Sequence, residues 1–338
     1  MTADGTRVLV TGAGGFVMSV FIADLLARDP TAHVAALDAA PLDAAAKAHF
    51  ARFGDRITFL RCDVRDREAL QLEIGKVPPT ILVNAATVTH VPAWEYERPH
   101  VFIDVNIGGS LNVLEAARAA GSLGRVVHVS SCAVYGHGDT DAAPVLQGEA
   151  GPFHPADLYG VGKLGGELVA RRFSELHGVP TAVVRFTRVF GPMERPTGAR
   201  KLMHLPYLMM KKMLAGRPLR ITRRSADAVG DWISSEDVSD AIVKLCGSRS
   251  ANRAYNIATG QPIRTTEVLA QAPVEVEWVD DGAEADADFD PMLKRGQHAA
   301  YDIAAIGRDV GWRPRPLAQQ MATYLAWARQ NPRTFEGA

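Results

Sequence analysis

A tyrosine and a lysine four residues apart, Tyr159 and Lys163, are the residues whose types and spacing point most directly to chemistry. At this spacing, the two side chains share one face of a helix. A phenol with a pKa near ~10 is a poor base at neutral pH, and a neighbouring ammonium favours its ionised form. The pair is therefore a candidate for moving a proton to and from a substrate hydroxyl.

A glycine-rich turn near the start of the chain is the second chemical signal. A predicted buried strand, Arg7 to Thr11, leads into this turn, and a helix follows through about Arg28. Gly12 permits the tight turn and Gly15 lets the backbone approach a pyrophosphate, which the free amides of the helix N-terminus would bind. Met18 stands where a third glycine is usual. The strand–turn–helix context favours a dinucleotide site over a plain tight turn, with the contacts at Gly12, Gly15, Phe16 and Val17.

The ends of the next predicted strands carry polar and small residues. Asp38 ends the second strand, where a carboxylate binds ribose hydroxyls and repels a 2′-phosphate, and this favours NAD over NADP. The alternative is a carboxylate that only caps the strand end or a helix. The later strands end in further candidate cofactor contacts, namely Asp63, Val64, Asn84, Ala85 and Ala86. The alternation of strands and helices predicts an α/β fold with a doubly wound parallel sheet.

A serine element precedes the tyrosine. It reads Val129-Ser130-Ser131-Cys132-Ala133-Val134-Tyr135-Gly136. Together with Tyr159, Lys163 and the glycine turn, it resembles the extended short-chain dehydrogenase/reductase family, the nucleotide-sugar epimerases and dehydratases. The resemblance covers nearly the whole chain. It implies that Tyr159 is the general base and acid, that Lys163 binds the nicotinamide ribose and supports the phenolate, that Ser131 hydrogen-bonds the reacting oxygen, and that NAD accepts the hydride. Asn106 matches a further cofactor-binding position.

The resemblance also implies a domain layout and an assembly. We expect a Rossmann cofactor domain at 1–190 with returning segments near 227–258. A smaller C-terminal α/β substrate lobe and a closing helix would use 191–226 and 259–338. Helices at about 98–120 and 157–177 would form the two-fold helical interface of a homodimer.

The residues after Ser131 separate the reactions of the family. Relatives that resemble 4,6-dehydratases carry an Asp-Glu pair there, because elimination needs a separate acid and base, and related decarboxylases keep a glutamate at the second position. Cys132 and Ala133 disfavour both reactions. A 4-epimerase needs no added acid or base, and neither does a dehydrogenase that releases its ketone. Cys132 is a possible proton donor, although a small buried residue is the simpler interpretation.

Substrate contacts are expected on two walls. Thr87, Thr89 and His90 follow the fourth strand on a loop that faces the sugar in relatives; His90 is either an acid–base group or a surface histidine. Arg188 stands where nucleotide-sugar epimerases commonly have asparagine, and Gly230 stands where they commonly have a phosphate-binding arginine. Cations that suit a pyrophosphate or a carboxylate, or merely a solvated basic stretch, are Arg188, Arg223, Lys294 and Arg295.

Composition narrows the function classes. The chain of 338 residues is 47% hydrophobic and 22% charged, with a net charge of −1. This balance gives no footprint for nucleic acid or an anionic membrane. Three scattered cysteines form neither a disulfide framework nor a metal motif, so we expect no metal and a reducing cytoplasmic location. No signal peptide or membrane span is recognised.

The sequence therefore predicts an NAD-dependent epimerase, most simply acting at C4 of a nucleoside diphosphate sugar. The alternative is an NAD-dependent dehydrogenase of a sugar, a sugar acid or another secondary alcohol. A non-enzymatic protein that only senses or retains NAD is disfavoured, because Ser131, Tyr159 and Lys163 are all present.

Overall fold

The computed structural model describes residues 5–136, 146–250, 252–289 and 300–336. The strands are, in chain order, β1 (Arg7–Thr11), β2 (His33–Asp38), β3 (Ile57–Arg61), β4 (Ile81–Asn84), β5 (Arg125–Ser131), β6 (Leu146–Gln147), β7 (Thr181–Phe186), β8 (Arg188–Phe190), β9 (Leu219–Thr222), β10 (Val229–Gly230), β11 (Trp232–Ser234), β12 (Arg253–Ile257), β13 (Ile263–Arg264), β14 (Val276–Val279) and β15 (Ala300–Tyr301).

The α-helices are α1 (Phe16–Arg28), α2 (Ala44–Phe50), α3 (Arg67–Gly75), α4 (Trp94–Glu97), α5 (His100–Ile103), α6 (Ser110–Ala119), α7 (Leu158–His177), α8 (Leu205–Leu214), α9 (Ser235–Cys246), α10 (Thr265–Leu269), α11 (Ala304–Val310) and α12 (Leu317–Gln330). Short 3₁₀ segments lie at Ala51–Arg56, Cys132–Tyr135, Arg223–Asp227 and Pro332–Phe335, and a π-helical turn spans Asp104–Gly109.

The main sheet confirms the predicted doubly wound α/β fold. Its seven described strands run in the order β12-β7-β5-β4-β1-β2-β3, and every pairing is parallel. The central strands are apolar and buried, as expected when helices cover both faces of a parallel sheet. All strand carboxyl ends meet at one edge, and the chain order reverses beside β1. Ligands bind at such a switch point in open α/β sheets.

Apolar clusters cover the two faces of the sheet. Helices α1 and α9 pack together on one face, with Phe21, Ile242 and Trp312 in the same cluster. Helices α3 and α6 pack on the other face, with Leu70 and Leu114 fully buried. The cofactor half therefore takes its second layer from late in the sequence, as the expected returning segment near 227–258 requires.

A third cluster lies in the C-terminal part of the chain. It joins α8, β9, Trp232 and the closing helix α12. This packing supports our proposed substrate lobe, with one difference. Ala305, Ile306 and Trp312, which we expected in the lobe, pack with the sheet-face cluster instead. The Trp312 indole N–H donates to the Asp237 carbonyl at 3.1 Å, which fixes α11 against α9.

The expected continuous helix at 98–120 is interrupted. Pro99 precedes α5, and a π-helical turn separates α5 from α6. A π turn inserts an extra residue and redirects the side chains around it. Among the residues described, no helix is both long and apolar enough to cross a bilayer. The same described ranges contain no group of three or more His, Cys, Asp or Glu side chains arranged to hold a metal ion.

Candidate active site

A cavity of about 980 Å³ opens at the carboxyl edge of the sheet. Its floor comes from the ends of β1, β2, β4 and β5, and its far wall comes from the segment that follows β8. The volume is at the upper end of the range for single-ligand sites. The sequence motifs predicted from opposite ends of the cofactor half therefore meet in one cleft.

The glycine turn is built for close backbone approach. Gly12 has φ +68°, and a Cβ there would lie 3.2 Å from the Ala85 carbonyl oxygen, so a side chain would be both strained and crowded. Gly15 caps α1, whose first-turn amides have no acceptor within the helix. Phe16 and Val17 line the cavity beside the turn, and so does Met18. The turn fits a pyrophosphate.

Asp38 lies on the cavity wall at the end of β2. Its Oδ2 accepts a hydrogen bond from the Gly14 amide at 2.9 Å, and its Oδ1 accepts one from the Ala40 amide at 3.1 Å. Gly14 was missed by the sequence analysis, although three glycines stand within four positions. The Asp38 carboxylate thus orients the glycine turn and retains lone pairs for ribose hydroxyls.

Asp63 and Val64 also line the cavity. The Asp63 carboxylate is already engaged, because the Arg65 guanidinium donates to it at 2.6 and 3.0 Å and the Arg65 amide at 2.9 Å. These hydrogen bonds lower the pKa of Asp63. An adenine contact from Asp63 stays a prediction, and any such contact would share the carboxylate with Arg65.

Asn84 and Asn106 differ from the prediction, because both are buried behind the wall rather than on it. The Asn84 Oδ1 accepts from the Thr11 hydroxyl at 3.2 Å, and the Thr11 oxygen accepts from the Ala85 and Ala86 amides at 2.9 Å each. A buried amide needs partners, so the polar side chain turns inward. Asn84 positions the alanines, which do line the cavity.

Asn106 supports the next loop in the same way. Its Oδ1 accepts from the Thr87 hydroxyl and from the Val88 amide, each at 3.0 Å. Thr87 and Thr89 line the cavity as expected. Thr89 donates to the Ala199 carbonyl at 2.5 Å, which ties this loop to the opposite wall.

Ser131, Tyr159 and Lys163 converge on the cavity. Ser131 ends β5, and its hydroxyl oxygen accepts from the Ala133 amide at 3.1 Å. Tyr159 lies in the first turn of α7 and is hydrogen-bonded to Ser131. Lys163 lies one turn further along, and its Nζ donates to the Val129 carbonyl at 2.6 Å. The predicted helical face is therefore present.

Small residues let α7 approach this closely. A Cβ on Gly162 would lie 2.9 Å from the Phe102 carbonyl oxygen, and a Cβ on Gly166 would lie 2.8 Å from that of Asn106. The Asp157 carboxylate caps the helix by accepting from the Gly160 amide at 2.6 Å. His90 pairs with the same carboxylate at 3.1 Å, which raises the pKa of the imidazole. His90 thus holds the start of the catalytic helix.

The pKa values depart from the simple expectation. Burial raises the pKa of the Tyr159 phenol, against the opposing effects of the Ser131 hydrogen bond and the Arg200 charge. Burial also lowers the pKa of Lys163 to about 8, against the opposing charge of Glu167. The structure therefore does not show the lowered phenol pKa that the sequence suggested, because loss of water outweighs the Ser131 hydrogen bond and the Arg200 charge. At neutral pH the protein holds a neutral phenol beside an ammonium.

Ser130 faces away from the reacting pair, into a buried polar network. Its hydroxyl donates to Glu167, which forms a two-point ion pair with Arg185 at 2.9 and 2.6 Å. Arg185 donates to the Tyr135 oxygen at 2.7 Å, and Tyr135 donates to Asn256 at 2.6 Å. These groups join α7 to β7 and β12 beneath the cavity, which is a structural role.

Cys132 lines the cavity but is poorly suited to act as a base. Burial raises the pKa of its thiol well above the usual value. Its sulfur donates to the Arg185 carbonyl at 3.5 Å and is hydrogen-bonded to Tyr301. Tyr301 also lines the cavity and comes from β15, too far along the chain for the sequence analysis to place it here.

The Arg188 side chain occupies the space that Gly230 leaves open. The Arg188 guanidinium lies 5.3 Å from the centre of the Trp232 ring, and its Nη1 donates to the Val229 carbonyl at 3.4 Å. A Cβ on Gly230 would lie 1.4 Å from that same nitrogen. The absence of a side chain at 230 thus makes room for the arginine from β8. The cation expected near position 230 is present on the wall, supplied by a different strand.

A second predicted cation, Arg223, falls outside this wall. Arg223 is exposed, pairs with Asp280 at 3.3 Å and does not line the cavity, so its expected substrate contact is not present. It lies in the 3₁₀ segment beyond β9, where the chain has left the cleft. Lys294 and Arg295 lie outside the described residues.

Two arginines that the sequence analysis missed lie in the segment after β8. Arg200 lines the cavity, with its guanidinium 5.2 Å from the centre of the Phe16 ring. Arg195 reaches the glycine turn and donates to the Gly14 carbonyl at 3.0 Å. No spacing rule connects residues so far apart in sequence; only the fold brings them together.

Comparisons with known proteins agree with the features of this site. Residues 8–258 match the model of the NAD dependent epimerase/dehydratase family. The chain belongs to this family. It is 29% identical to the UDP-glucose 4-epimerase of Mycolicibacterium smegmatis, across 96% of this chain and 98% of the relative. It is 27% identical to the dTDP-glucose 4,6-dehydratase of Neisseria meningitidis, across 91% of this chain and 88% of the relative.

Solved structures of family members have the same fold. The NAD-bound dTDP-glucose 4,6-dehydratase DesIV of Streptomyces venezuelae matches with a TM-score of 0.77 and 28% identity, over 98% of this chain and 99% of that one. The UDP-glucose 4-epimerase of Thermotoga maritima matches with a TM-score of 0.77 over 97% and 100%; at 20% identity this likeness shows the fold alone. The chain is thus an enzyme of an NAD-dependent family. An epimerase and a dehydratase of this family resemble it to nearly the same degree, at 29% and 27% identity.

Proposed function

We propose that the protein is an NAD-dependent epimerase that inverts C4 of a nucleoside diphosphate sugar through a transient 4-keto sugar. The observation that carries this proposal is the composition of the reacting corner. Ser131, Tyr159 and Lys163 lie together on the cavity, whereas the two following positions supply a neutral buried thiol and a methyl group. These three residues can move one proton at one hydroxyl, and the two positions after Ser131 add no carboxylate to them.

Each of the three residues has a distinct role in the proposed reaction. Tyr159 accepts the proton of the C4 hydroxyl and returns it, Ser131 holds the same oxygen by a hydrogen bond, and Lys163 supplies the positive charge that stabilises the phenolate. When bound, NAD supplies the acceptor for the C4 hydride. Inversion then requires only that the keto sugar turn its other face before the proton and hydride return.

Dehydration is the reaction of several relatives, and the side chains here argue against it. Elimination of water needs a base for one proton and an acid for the leaving hydroxyl. Ala133 offers no titratable atom, and burial keeps the Cys132 thiol protonated. Three carboxylates near this corner are already engaged: Glu167 pairs with Arg185, Asp157 accepts from the Gly160 amide, and Asp231 accepts from the Thr259 and Gly260 amides.

Arg188 supports an anionic substrate and keeps one alternative open. Arg188 is a half-buried residue on the wall next to Asp231 and Tyr301, and loss of water lowers the pKa of its guanidinium against their charges. A fork of N–H donors suits a pyrophosphate, as in a nucleotide sugar, and equally a carboxylate. A dehydrogenase of a sugar acid is therefore the second candidate function.

A panel of nucleoside diphosphate sugars and free sugar acids tests the proposal directly. Each compound is incubated with the protein and NAD, and both isomer formation and reduced-nicotinamide absorbance are followed. We expect a C4 isomer without lasting absorbance. Accumulation of reduced cofactor with a ketone would establish the dehydrogenase instead, and loss of water from the sugar would contradict both.

A pair of arginine variants tests the anion contact once the substrate is known. Arg188→Gln removes the charge from the wall, and we expect KM to rise by about tenfold or more. Arg223→Gln is the matched control, because Arg223 is exposed and pairs with Asp280 outside the cavity. Equal effects of the two substitutions would show that Arg188 does not bind the substrate.

A further inference from the structure

Residues 191–204, which we call the strap, run from the end of β8 to the start of α8. Part of the strap, including Pro196 to Arg200, forms the cavity wall that faces the glycine turn. The strap leaves β8 at Gly191, which has φ +134°, and a Cβ there would lie 2.7 Å from the Ser235 hydroxyl. The strap therefore starts in the cofactor half, at β8 and Ser235, passes the glycine turn and ends at α8 in the lobe cluster.

Arg195 fastens the strap to the cofactor half. Its Nε donates to Asp43 Oδ2 at 2.7 Å and its Nη2 donates to Oδ1 at 3.0 Å, a two-point ion pair. The same Nη2 donates to the Gly14 carbonyl at 3.0 Å. The Arg195 side chain is 7% exposed and that of Asp43 is 43% exposed, so the guanidinium is shielded from water while the carboxylate is partly solvated. Such planar, charge-assisted pairs are the stronger class of hydrogen bond.

The backbone at the base of the strap is shaped for this contact. Met193 has φ +69°, a region that residues other than glycine rarely adopt. The Met193 carbonyl accepts from Arg195 Nη1 at 2.9 Å. The arginine therefore also holds the turn that aims it at the glycine loop.

Further contacts seat the rest of the strap. Glu194 is fully buried, pairs with Arg200 and accepts from the His204 amide at 3.1 Å. Arg200 covers Phe16, the first residue of α1. The Ala199 carbonyl accepts from Thr89 on the loop after β4. The strap thus contacts both loops that flank the cleft. Arg195 supplies the ion pair that joins the strap to the cofactor half.

Gly14 links this fastening to ribose recognition. Its carbonyl accepts from Arg195, and its amide donates to Asp38 at 2.9 Å. The two peptide groups that flank the Gly14 Cα are therefore held by different partners, one by Arg195 from the strap and the other by Asp38 from β2. Opening the strap would release the Arg195 constraint and leave the glycine turn held by Asp38 alone.

We propose that Arg195 is a positioning residue that fastens the strap across the cofactor cleft and thereby slows the release of the dinucleotide. The inference rests on the proposed function only in taking NAD as the ligand. It deepens that function, because an epimerase must keep the reduced cofactor until the hydride returns. A dehydrogenase must release it in every cycle.

The test measures NADH binding and release without substrate, by the fluorescence change in a stopped-flow displacement experiment. We expect Arg195→Gln to raise the dissociation rate by about tenfold or more while the association rate changes by less than about threefold. A general loss of structure would not raise the dissociation rate of NADH while leaving its association rate nearly unchanged. Arg28→Gln is the matched control, because Arg28 forms exposed ion pairs with Asp24 and Asp240 away from the cleft.

Asp43→Asn tests the same contact from the other side. Asparagine preserves the cap on α2, where Asp43 accepts from the Ala46 amide at 2.8 Å, but removes the charge that binds Arg195. This variant keeps the test decisive if Arg195→Gln does not fold. If Arg195→Gln folds, its NADH release decides: faster release supports the proposal and wild-type release overturns it. If Arg195→Gln does not fold, the NADH release of Asp43→Asn decides in the same way. Because no sugar is present, these outcomes are independent of the reaction catalysed.

Discussion

Tyr159 is the residue through which the proposed chemistry passes. It lines the cavity and is hydrogen-bonded to Ser131, and Lys163 lies one helical turn further along α7. Replacing it with phenylalanine removes only the hydroxyl, so the cleft keeps its shape.

We expect Tyr159→Phe to lower kcat by about a thousandfold, because general acid–base groups contribute on that scale. The dissociation constant for NAD should change by less than about threefold, since the phenol is not required to hold the dinucleotide. Steady-state kinetics and NADH fluorescence titration measure the two quantities. Full activity in this variant would refute the proton-transfer role.

Asp38 is expected to control the choice between NAD and NADP. The wild-type protein should prefer NAD to NADP by about tenfold or more, because a carboxylate beside the ribose repels a 2′-phosphate. Asp38→Asn should remove most of that preference. Titration with both reduced cofactors gives the ratio; equal affinities in the wild type would show that Asp38 does not face the ribose.

Single residues could be predicted from sequence where a motif fixes the backbone. Gly12, Asp38, Ser131 and Tyr159 all reach the cavity wall as expected. Asn84 and Asn106 do not, because a strand-end or helix-start amide can turn inward when buried backbone groups need partners. Arg195 and Arg200 carried no signal, since their partners are distant in sequence.

The packing of α7 on β5, on α5 and on the π-helical turn places the proposed catalytic residues. Gly162 and Gly166 bring the helix within backbone contact of Phe102 and Asn106. His128, in the middle of β5, is fully enclosed by this packing. The sequence predicted both elements but not their closeness, which depends on which helix face carries the glycines.

His128 makes this packing sensitive to acid. Burial, helped by the Lys163 charge, lowers the pKa of its imidazole to about 3. Since the unfolded pKa is near ~6.5, the unfolded chain binds the extra proton as pH falls below that value, and the folded protein does not until about pH 3. Stability attributable to this group is therefore unaffected above pH ~6.5 and falls by about 2 kcal/mol by pH 5.

His128→Gln should remove this component of the acid sensitivity. The difference in unfolding free energy between wild type and variant should shrink by about 2 kcal/mol between pH 7 and pH 5, as measured by urea denaturation. Parallel pH profiles would contradict the assignment of a neutral buried imidazole.

The segment before α6 was the least predictable of the elements. The family resemblance implied a helix at about 98–120, yet a π-helical turn at Asp104–Gly109 divides it. That turn presents Asn106 toward the loop at Thr87. The hydrogen bonds of Asn106 to Thr87 and Val88 accompany this departure from the regular helix, and π turns often occur at functional sites.

At the scale of the whole molecule, two sheet-face clusters and one lobe cluster enclose the cleft. The parallel sheet followed from the sequence because strand and helix periods alternate regularly. The acidic stretch after Ala283 is tied to the lobe. Ala287 forms an isolated parallel β-bridge with Ile221, and Asp286 and Asp288 form ion pairs with Lys212 and Arg224. Those basic partners lie in the lobe, where no local pattern could have matched them.

An exposed apolar face supports the proposed homodimer. Val161 and Leu168, two turns apart on α7, are 38% and 59% exposed, and Ile103 and Leu111 on the neighbouring segment are 38% and 44% exposed. Residues seven apart share a helix face, so these side chains form a surface that a second copy could cover.

We expect Leu168→Glu to convert the dimer to a monomer, because an unpaired charge would be buried in the interface. Sedimentation velocity measures the state. Leu72→Glu is the matched control, since Leu72 is 65% exposed on α3, away from that face. A wild-type monomer, or a Leu168→Glu dimer, would contradict the proposed interface.

The central claim is that the hydride leaves C4 and returns to C4 within one active site. The most direct measurement uses the nucleotide sugar identified in the panel, labelled with deuterium at C4. We predict that the isomerised product retains the deuterium and that no reduced cofactor accumulates. Deuterium found in released NADH, with a ketone formed in equal amount, would contradict the account.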